Sequence, residues 1–320
     1  MTESAANIPR DDLTVIVVAY HTRDLIGPCL ESVLTAADGL RVAVYVVENG
    51  SQDGSVEFVR ERFAAVNLID PGLNLGFVGG NNLVLDDLLK RGTAGRYVLL
   101  LNPDTIVRPD TFRVMIAFMD ATPAAGAATC RVDLASGGLD WACHRGFPTP
   151  WSSLTHMLGL QRVFPRSPLF ARYHRKWQNL STTHEVDAIT GAFFLVRRQA
   201  FEQVGALDTD YFMFGEDIDW AFRLKAAGWK VFYHPGTSIL HYKGVSTGLK
   251  AHSGRLTRAT AERKVRVSGY FAEAMRIFYD KHLAANHPAL VRWLVRGGIG
   301  ARRRLEAWRY RLEGLLSREG

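Results

Sequence analysis

The sequence predicts an α/β fold: a mostly parallel, Rossmann-like sheet flanked by helices and followed by a basic helical extension. Three observations carry this. Short β-branched apolar runs alternate with segments of helical apolar spacing from Leu13 to Leu101. Strings rich in asparagine, glycine and acidic residues follow those runs, where an open parallel sheet forms its ligand crevice at the carboxyl ends of its strands. And 320 residues, 47% of them hydrophobic, can bury the core of one large domain or one and a half.

In chain order, Leu13 to Ala19 is a β-branched run that reads as a strand. Asp24 to Thr35 places Leu25, Cys29, Leu30, Val33 and Leu34 on one helical face. Val42 to Val47 is a second strand, Ser55 to Phe63 a helix and Val66 to Ile69 a short strand. Asn81 to Lys90 reads as a helix and Tyr97 to Leu101 as a strand. Between Arg131 and Glu185 periodicity weakens and Trp, Pro, His and Arg dominate, which predicts loops and short helices suited to acceptor recognition. Regular pattern returns at Val186 to Val196, at Asp217 to Ala227 as an amphipathic helix and at Val231 to His234. Helical spacing then governs Thr257 to Lys281 and Leu290 to Leu316.

The first twelve residues lack a basic start and an apolar stretch, and no uncharged apolar run approaches the roughly 18 to 20 residues of a spanning helix. Cys29, Cys130 and Cys143 are odd in number and far apart, so neither a disulfide framework nor a zinc cluster is indicated. A reducing cytoplasm is the expected compartment.

The net charge of +7 is uneven: from Lys250 onward there are 16 Lys and Arg against 6 Asp and Glu, leaving 23 against 26 before it. Trp293, Leu294, Ile299, Leu305, Trp308, Tyr310, Leu312, Leu315 and Leu316 are interleaved with the arginines. Such a tail suits either an interfacial helix on anionic lipid or an arginine face packed on its own domain. No nucleic-acid module accompanies the charge, and nucleic acid is not an expected partner.

Four strings carry candidate chemistry. Glu48-Asn49-Gly50-Ser51-Gln52-Asp53-Gly54-Ser55 follows the second strand with short polar side chains able to bond a ligand's base and ribose, or simply to cap the next helix through Ser51 or Asp53. Asn74-Leu75-Gly76-Phe77-Val78-Gly79-Gly80-Asn81-Asn82 sets glycines before a helix, where backbone can approach a ligand and free N–H groups can meet an anion. It lacks the dinucleotide and Walker spacings. Asn102-Pro103-Asp104 ends an apolar run with a hard oxygen ligand, and Ser238-Ile239-Leu240-His241 ends another with a histidine. Glu216, Asp217 and Asp219 crowd one helix start among aromatics, and such crowding raises a carboxylate's pKa toward that of a base. Arg223, four residues after Asp219, also fits an ordinary helix ion pair.

Together these strings resemble the inverting glycosyltransferases of family 2, whose fold is the nucleotide-diphospho-sugar transferase fold, type A. The matching segments are 17–20, 46–55, 74–82, 101–104, 190–198, 214–220 and 241–246, spanning Leu13 to Gly248. The Asn-Pro-Asp and Asn-Leu-Gly-Phe-Val-Gly-Gly-Asn-Asn variants look most like the rhamnosyltransferase branch, which builds bacterial surface polysaccharide.

The resemblance implies a flexible N-terminus over 1–12, a catalytic unit over 13–250 with a nucleotide-sugar half (13–104) and an acceptor half (105–250), and a basic helical extension over 251–320. Ala19, Tyr20, Glu48, Asn49 and Ser51 would border the nucleotide. Asn74, Gly76, Phe77, Gly79 and Asn82 would line diphosphate and donor sugar, with Asn102 and Asp104 closing that side. Asp104 would hold a divalent cation, Mg²⁺ or Mn²⁺, with His241 as second ligand, and Asp217 would be the base with Glu216 its nearest rival. Two positions depart from the family's habit: Glu48 stands for an aspartate and Asn102 for a carboxylate.

The implied reaction moves a sugar, rhamnose from dTDP-rhamnose first, to a glycan or polyprenyl-diphosphate-linked hydroxyl at the inner membrane face. A sugar-nucleotide pyrophosphorylase would instead need a glycine-rich loop with Arg and Lys after the first strand, where Ala19-Tyr20-His21-Thr22-Arg23 stands. A transferase-like scaffold without activity is the remaining alternative.

Overall fold

The computed structural model describes residues 11–243 and 260–316. Residues 1–10 of the expected flexible terminus, residues 244–246 of the last family segment and the boundary at 250/251 lie outside the described residues.

A nine-stranded sheet forms the centre. Its first half is built from β1 (Leu13–Ala19), α1 (Arg23–Ala36), β2 (Val42–Glu48), α2 (Ser55–Arg62), β3 (Asn67–Ile69), α3 (Gly76–Arg91) and β4 (Tyr97–Leu101). These strands lie parallel in the order β3-β2-β1-β4. Every residue of β1 and β4 is buried, which is why both read as unbroken apolar runs: a parallel strand covered on both faces has no polar side to show.

The second half contains β5 (Thr105–Val107), α4 (Thr111–Ala121), β6 (Ala125–Leu134), a 3-10 turn (Trp141–Cys143), α5 (Pro150–Met157), α6 (Leu160–Val163), β7 (His184–Val186), β8 (Phe193–Arg197), α7 (Arg198–Val204), α8 (Glu216–Ala226) and β9 (Lys230–His241). Here the sheet is mixed. β8 runs antiparallel to both β4 and β6, β6 runs parallel to β9, and β5 and β7 pair antiparallel with β9. The expected parallel arrangement thus describes the first half, and the reversal of β8 brings its beginning to the edge where β1, β2 and β4 end.

Several elements differ from expectation. The strand expected over Val231–His234 is the start of a twelve-residue strand that also contains the Ser238–His241 run. Pro235 and Gly236 interrupt its pattern where the register against β6 shifts between Cys130 and Arg131, a bulge that absorbs the proline in a strand otherwise closed to it. β6 lies partly in the segment expected to be loop, its alanines too short to give a strong apolar alternation.

α9 (Ala261–Phe278) passes through a π turn (Tyr279–Leu283) and a 3-10 turn (Ala284–Asn286) into α10 (Ala289–Leu316). α9 packs on the loop before α8: Phe212 meets Tyr270 with ring centroids 4.9 Å apart, and a Cβ on Gly215 would come within 3.1 Å of Ala274 Cβ. α10 lies against α9, with the Arg302 guanidinium 5.4 Å from the centre of the Phe271 ring, while Trp293 (70% exposed) and Trp308 (64%) face outward. The helix therefore has one face packed on its own chain and the other an exposed apolar and arginine surface. Among the described residues, no helix is long and apolar enough to cross a membrane.

Candidate active site

β4 delivers Asn102-Pro103-Asp104 to the carboxyl edge of the sheet. The Asn102 N–H donates to Ala192 O at 3.3 Å and its carbonyl accepts from Thr105 Oγ1 at 2.7 Å, fixing the turn. β5 then pairs with β9 so that Thr105 faces His241, and the Tyr242 N–H donates to Asp104 O at 2.9 Å. Two residues far apart in sequence are thereby locked together: Asp104 Oδ1 stands 3.2 Å from His241 Nε2, both side chains buried.

The second imidazole nitrogen is also engaged, since His241 Nδ1 lies 3.1 Å from Asp140 Oδ2, and the Lys243 ammonium bonds the other oxygen of Asp140. Burial opposes charge on His241, yet Asp104 and Asp140 on its two sides outweigh it and raise its pKa. Burial likewise opposes ionisation of Asp140, but the bond from His241 and the charge of Lys243 hold its carboxyl well below the usual range.

These residues fit a divalent cation. Asp104 Oδ1 is buried and, beyond the His241 Nε2 at 3.2 Å, has no hydrogen-bond donor among the described residues; the other nitrogen of that imidazole is held by a carboxylate, the support that metal-binding histidines ordinarily have. Among the described residues no group of three or more His, Cys, Asp or Glu is placed to hold a metal, so a cation here would complete its shell with water and phosphate oxygens, as Mg²⁺ habitually does.

The acid pair sits on the same edge. Phe214 (φ 68°) and Gly215 (φ 79°) turn the chain into α8 through two successive left-handed residues. Asp217 Oδ2 accepts from Arg145 Nη2 at 2.7 Å and from the Gly191 N–H at 3.2 Å, and its Oδ1 accepts from the Ile218 N–H at 2.8 Å. Arg145 also donates to Ile189 O at 2.7 Å. Glu216 is buried with Oε2 unpartnered; burial first, then the charge of Asp217, push its carboxyl up to about 8. Gly191, bonded to Asp217, precedes Ala192, bonded to Asn102, and Asp104 follows two residues on. A short bridge of backbone contacts therefore joins the two acidic groups.

The residues expected to border the nucleotide and donor are bonded within the chain as follows. The glycine string is not a loop: α3 begins at Gly76, five residues before the expected start. Its leading N–H groups are occupied, that of Gly76 by Asn74 Oδ1 at 2.8 Å and those of Phe77 and Val78 by Phe212 O at 3.0 and 3.4 Å, so none is open to a phosphate. Gly76 has φ 75°, and a Cβ there would lie 2.4 Å from Phe212 O. A Cβ at Gly79 would lie 2.9 Å from Leu75 Cβ.

Asn82, expected beside the donor, is buried and bonds Leu207 with its amide, donating to O at 2.8 Å and accepting from N at 3.1 Å. Asn49 donates to Gly76 O at 2.9 Å and accepts from the Leu75 N–H at 2.9 Å, joining the end of β2 to the start of α3. Ala19 is buried with its carbonyl taken by the Asn49 N–H at 2.8 Å. Glu48 is fully buried and accepts from Ser51 N–H and hydroxyl; burial raises its pKa despite those bonds. Ser51 in turn accepts from the His21 N–H at 2.8 Å.

These short polar chains hold one another, which residue type alone does not reveal. Tyr20, half-buried with its ring 4.3 Å from that of His21, and Phe77, against which Gly191 lies, remain at the cleft.

Arg145, Asp140, Lys243 and Gly191 had no assigned role from sequence. Arg145 and Asp140 lie in or beside the segment without periodicity, and only the missing carboxylate partner for Arg145 could have pointed to Asp217. Gly191 falls within the matching 190–198 segment, where a glycine beside an acidic motif was the available signal.

Comparison with known proteins agrees with this geometry. The profile of a family described as Glycosyltransferase like family 2 matches residues 9–262. N-acetylglucosaminyl-diphospho-decaprenol L-rhamnosyltransferase of Mycobacterium tuberculosis is 30% identical over 304 residues, covering 92% of each chain. Rhamnosyltransferase WbbL of Escherichia coli is 25% identical over 71% of this chain and 82% of its own. Among solved structures, mannosyltransferase PcManGT from Pyrobaculum calidifontis, in complex with GDP-Man and Mn²⁺, superposes with a TM-score of 0.53 at 16% identity, covering 96% of this chain and 75% of that one. TarS of S. aureus with UDP-GlcNAc gives 0.53 at 16% identity, over 90% and 71%. These two likenesses show the type A glycosyltransferase fold.

Proposed function

The chain belongs to the Glycosyltransferase like family 2, in its rhamnosyltransferase branch, and from that premise we propose that it transfers rhamnose from dTDP-rhamnose, with inversion, to a hydroxyl of a lipid-diphosphate-linked glycan. The observation that carries this reading is the meeting at one sheet edge of the Asp104–His241 pair and the acid pair at the head of α8. The relatives' names support the sugar and the acceptor class.

Asp217 takes the acceptor proton. Burial and the neighbouring Asp217 raise the Glu216 carboxyl to about 8 and so favour its protonated form near neutral pH, whereas Asp217 is oriented by the bonds it accepts from Arg145 and the Gly191 N–H. The acceptor oxygen attacks the anomeric carbon as the bond to the β-phosphate oxygen breaks, and the nucleoside diphosphate departs from the opposite face. Asp104 and His241 would hold Mg²⁺ or Mn²⁺, which supplies positive charge for the leaving diphosphate. Arg145 positions Asp217, and Tyr20 and Phe77 border the donor. The outer face of α10, with Trp293 and Trp308 among arginines, serves as a contact with anionic lipid at the inner membrane face.

The test is nucleoside diphosphate release from a panel of dTDP-, UDP- and GDP-sugars with and without Mg²⁺ or Mn²⁺, in the presence of a lipid-linked N-acetylglucosamine acceptor. Release confined to dTDP-rhamnose is expected. Release from another donor alone would overturn the sugar assignment, and silence with all of them the transferase reading.

A further inference from the structure

Immediately after Arg145 the chain leaves the site and returns to it. The Gly146 N–H donates to Tyr173 O at 2.8 Å, and a Cβ at Gly146 would come within 2.5 Å of Arg172 O, so residues 147–172 form a lobe whose two ends meet beside the residue that holds Asp217. The lobe is an ordered object. Thr149 caps α5 by accepting from the Ser152 N–H, Trp151 Nε1 donates to Leu169 O at 3.0 Å, and Phe164 and Phe170 pack with centroids 5.3 Å apart.

Its outer surface is apolar where a soluble lobe would be polar. Leu154, Met157, Leu158 (65% exposed), Val163 (68%), Phe164 and Leu169 all face outward. Charge around them has one sign: from Trp141 to His184 there are six Lys and Arg and no Asp or Glu. Of these, Arg162, Arg166 and Arg172 are exposed on the lobe itself.

We propose that this lobe is a membrane-docking surface, inserting its apolar tip into the headgroup region of an anionic bilayer while Arg162, Arg166 and Arg172 meet the lipid phosphates. The step beyond the α10 contact is that this second surface is rooted at the acceptor-side arginine, so docking sets the Asp217 cleft at the height of a lipid diphosphate. This use rests on the functional reading above; the docking itself does not. A second copy of the chain is the poorer occupant, because a self-complementary pairing would set these arginines against their own copies with no carboxylate in the segment to offset them.

The experiment is co-sedimentation of the full chain with phosphatidylcholine vesicles containing or lacking phosphatidylglycerol. Alongside go Leu158→Glu with Val163→Glu, and separately Arg162→Glu with Arg166→Glu. The parent chain is expected to bind the anionic vesicles, each double variant to lose roughly tenfold or more of that binding, and melting temperature and hydrolysis of the sugar nucleotide to stay unchanged. Variants that bind as the parent does, or a parent that stays in the supernatant, would overturn the proposal. So would a dimer in light scattering that the apolar variant splits. Vesicle binding by a chain that releases nucleotide from no donor supports docking and refutes the transferase reading, so the two failures are separable.

Discussion

Arg145 Nη2 lies 2.7 Å from Asp217 Oδ2, with both side chains almost out of solvent. Removing one member of such a pair strands the other. Arg145→Ala should destabilise the chain by about 3–5 kcal/mol in urea unfolding, since Asp217 keeps a buried charge without its partner. Arg145→Lys should retain more stability and lower kcat more than it raises KM.

Asp217→Asn removes the proposed proton acceptor with little change in shape. Turnover should fall on the order of 10² to 10⁴, while donor affinity by titration calorimetry stays near that of the parent. Near-normal turnover in this variant would transfer the role to another residue.

Glu216 makes stability depend on pH. Its folded pKa, about 8, lies above its ordinary value of 4.5, so between those values the folded chain binds a proton that the unfolded chain has lost. This contribution is full below pH 4.5 and is lost as pH rises toward 8. Glu216→Gln should therefore flatten the fall in melting temperature over that window and stabilise the chain by about 1–3 kcal/mol at its alkaline end. An unchanged pH profile in the variant would contradict the burial argument.

Asp104 and His241 should be needed for cation binding, and Asp140 for its strength. Mn²⁺ binding, followed by calorimetry without donor chemistry, should disappear in Asp104→Asn and weaken by roughly 10- to 100-fold in Asp140→Asn, which frees the imidazole to turn. Equal Mn²⁺ affinity in all three proteins would place the cation elsewhere.

Asn82 separates a structural role from a donor-binding one. Asn82→Ala leaves the Leu207 N–H and carbonyl without partners and should cost about 1–3 kcal/mol in unfolding, with the donor KM unchanged. A raised KM at full stability would restore Asn82 to the donor site.

How much of this was legible in the sequence depends on whether a residue's meaning is local. β1 and β4 occupy the expected positions because a strand buried on both faces has to be apolar throughout. Asp104 and His241 stood out because each ends such a run. Glu48, Asn49 and Asn82 read as ligand contacts, yet their partners lie in other segments, and a side chain's use by its own fold is invisible until those segments meet. Arg145 was missed for the converse reason: its value comes wholly from Asp217, 72 residues away. The beginning of α3 was misplaced because Asn74, Asn49 and Phe212 together supply the capping that a glycine string lacks by itself.

One contact binds the end of the chain to its chemistry. His282, in the π turn after α9, reaches Asp219 Oδ1 at 2.6 Å, while Arg223 takes the other oxygen at 2.7 Å. Asp219 is fully enclosed and stands two residues from Asp217. The C-terminal hairpin is thus a clamp on α8, and cutting it away would slacken that helix along with whatever the hairpin touches. Truncation would conflate anchorage with chemistry; only point changes on the outer face can tell them apart.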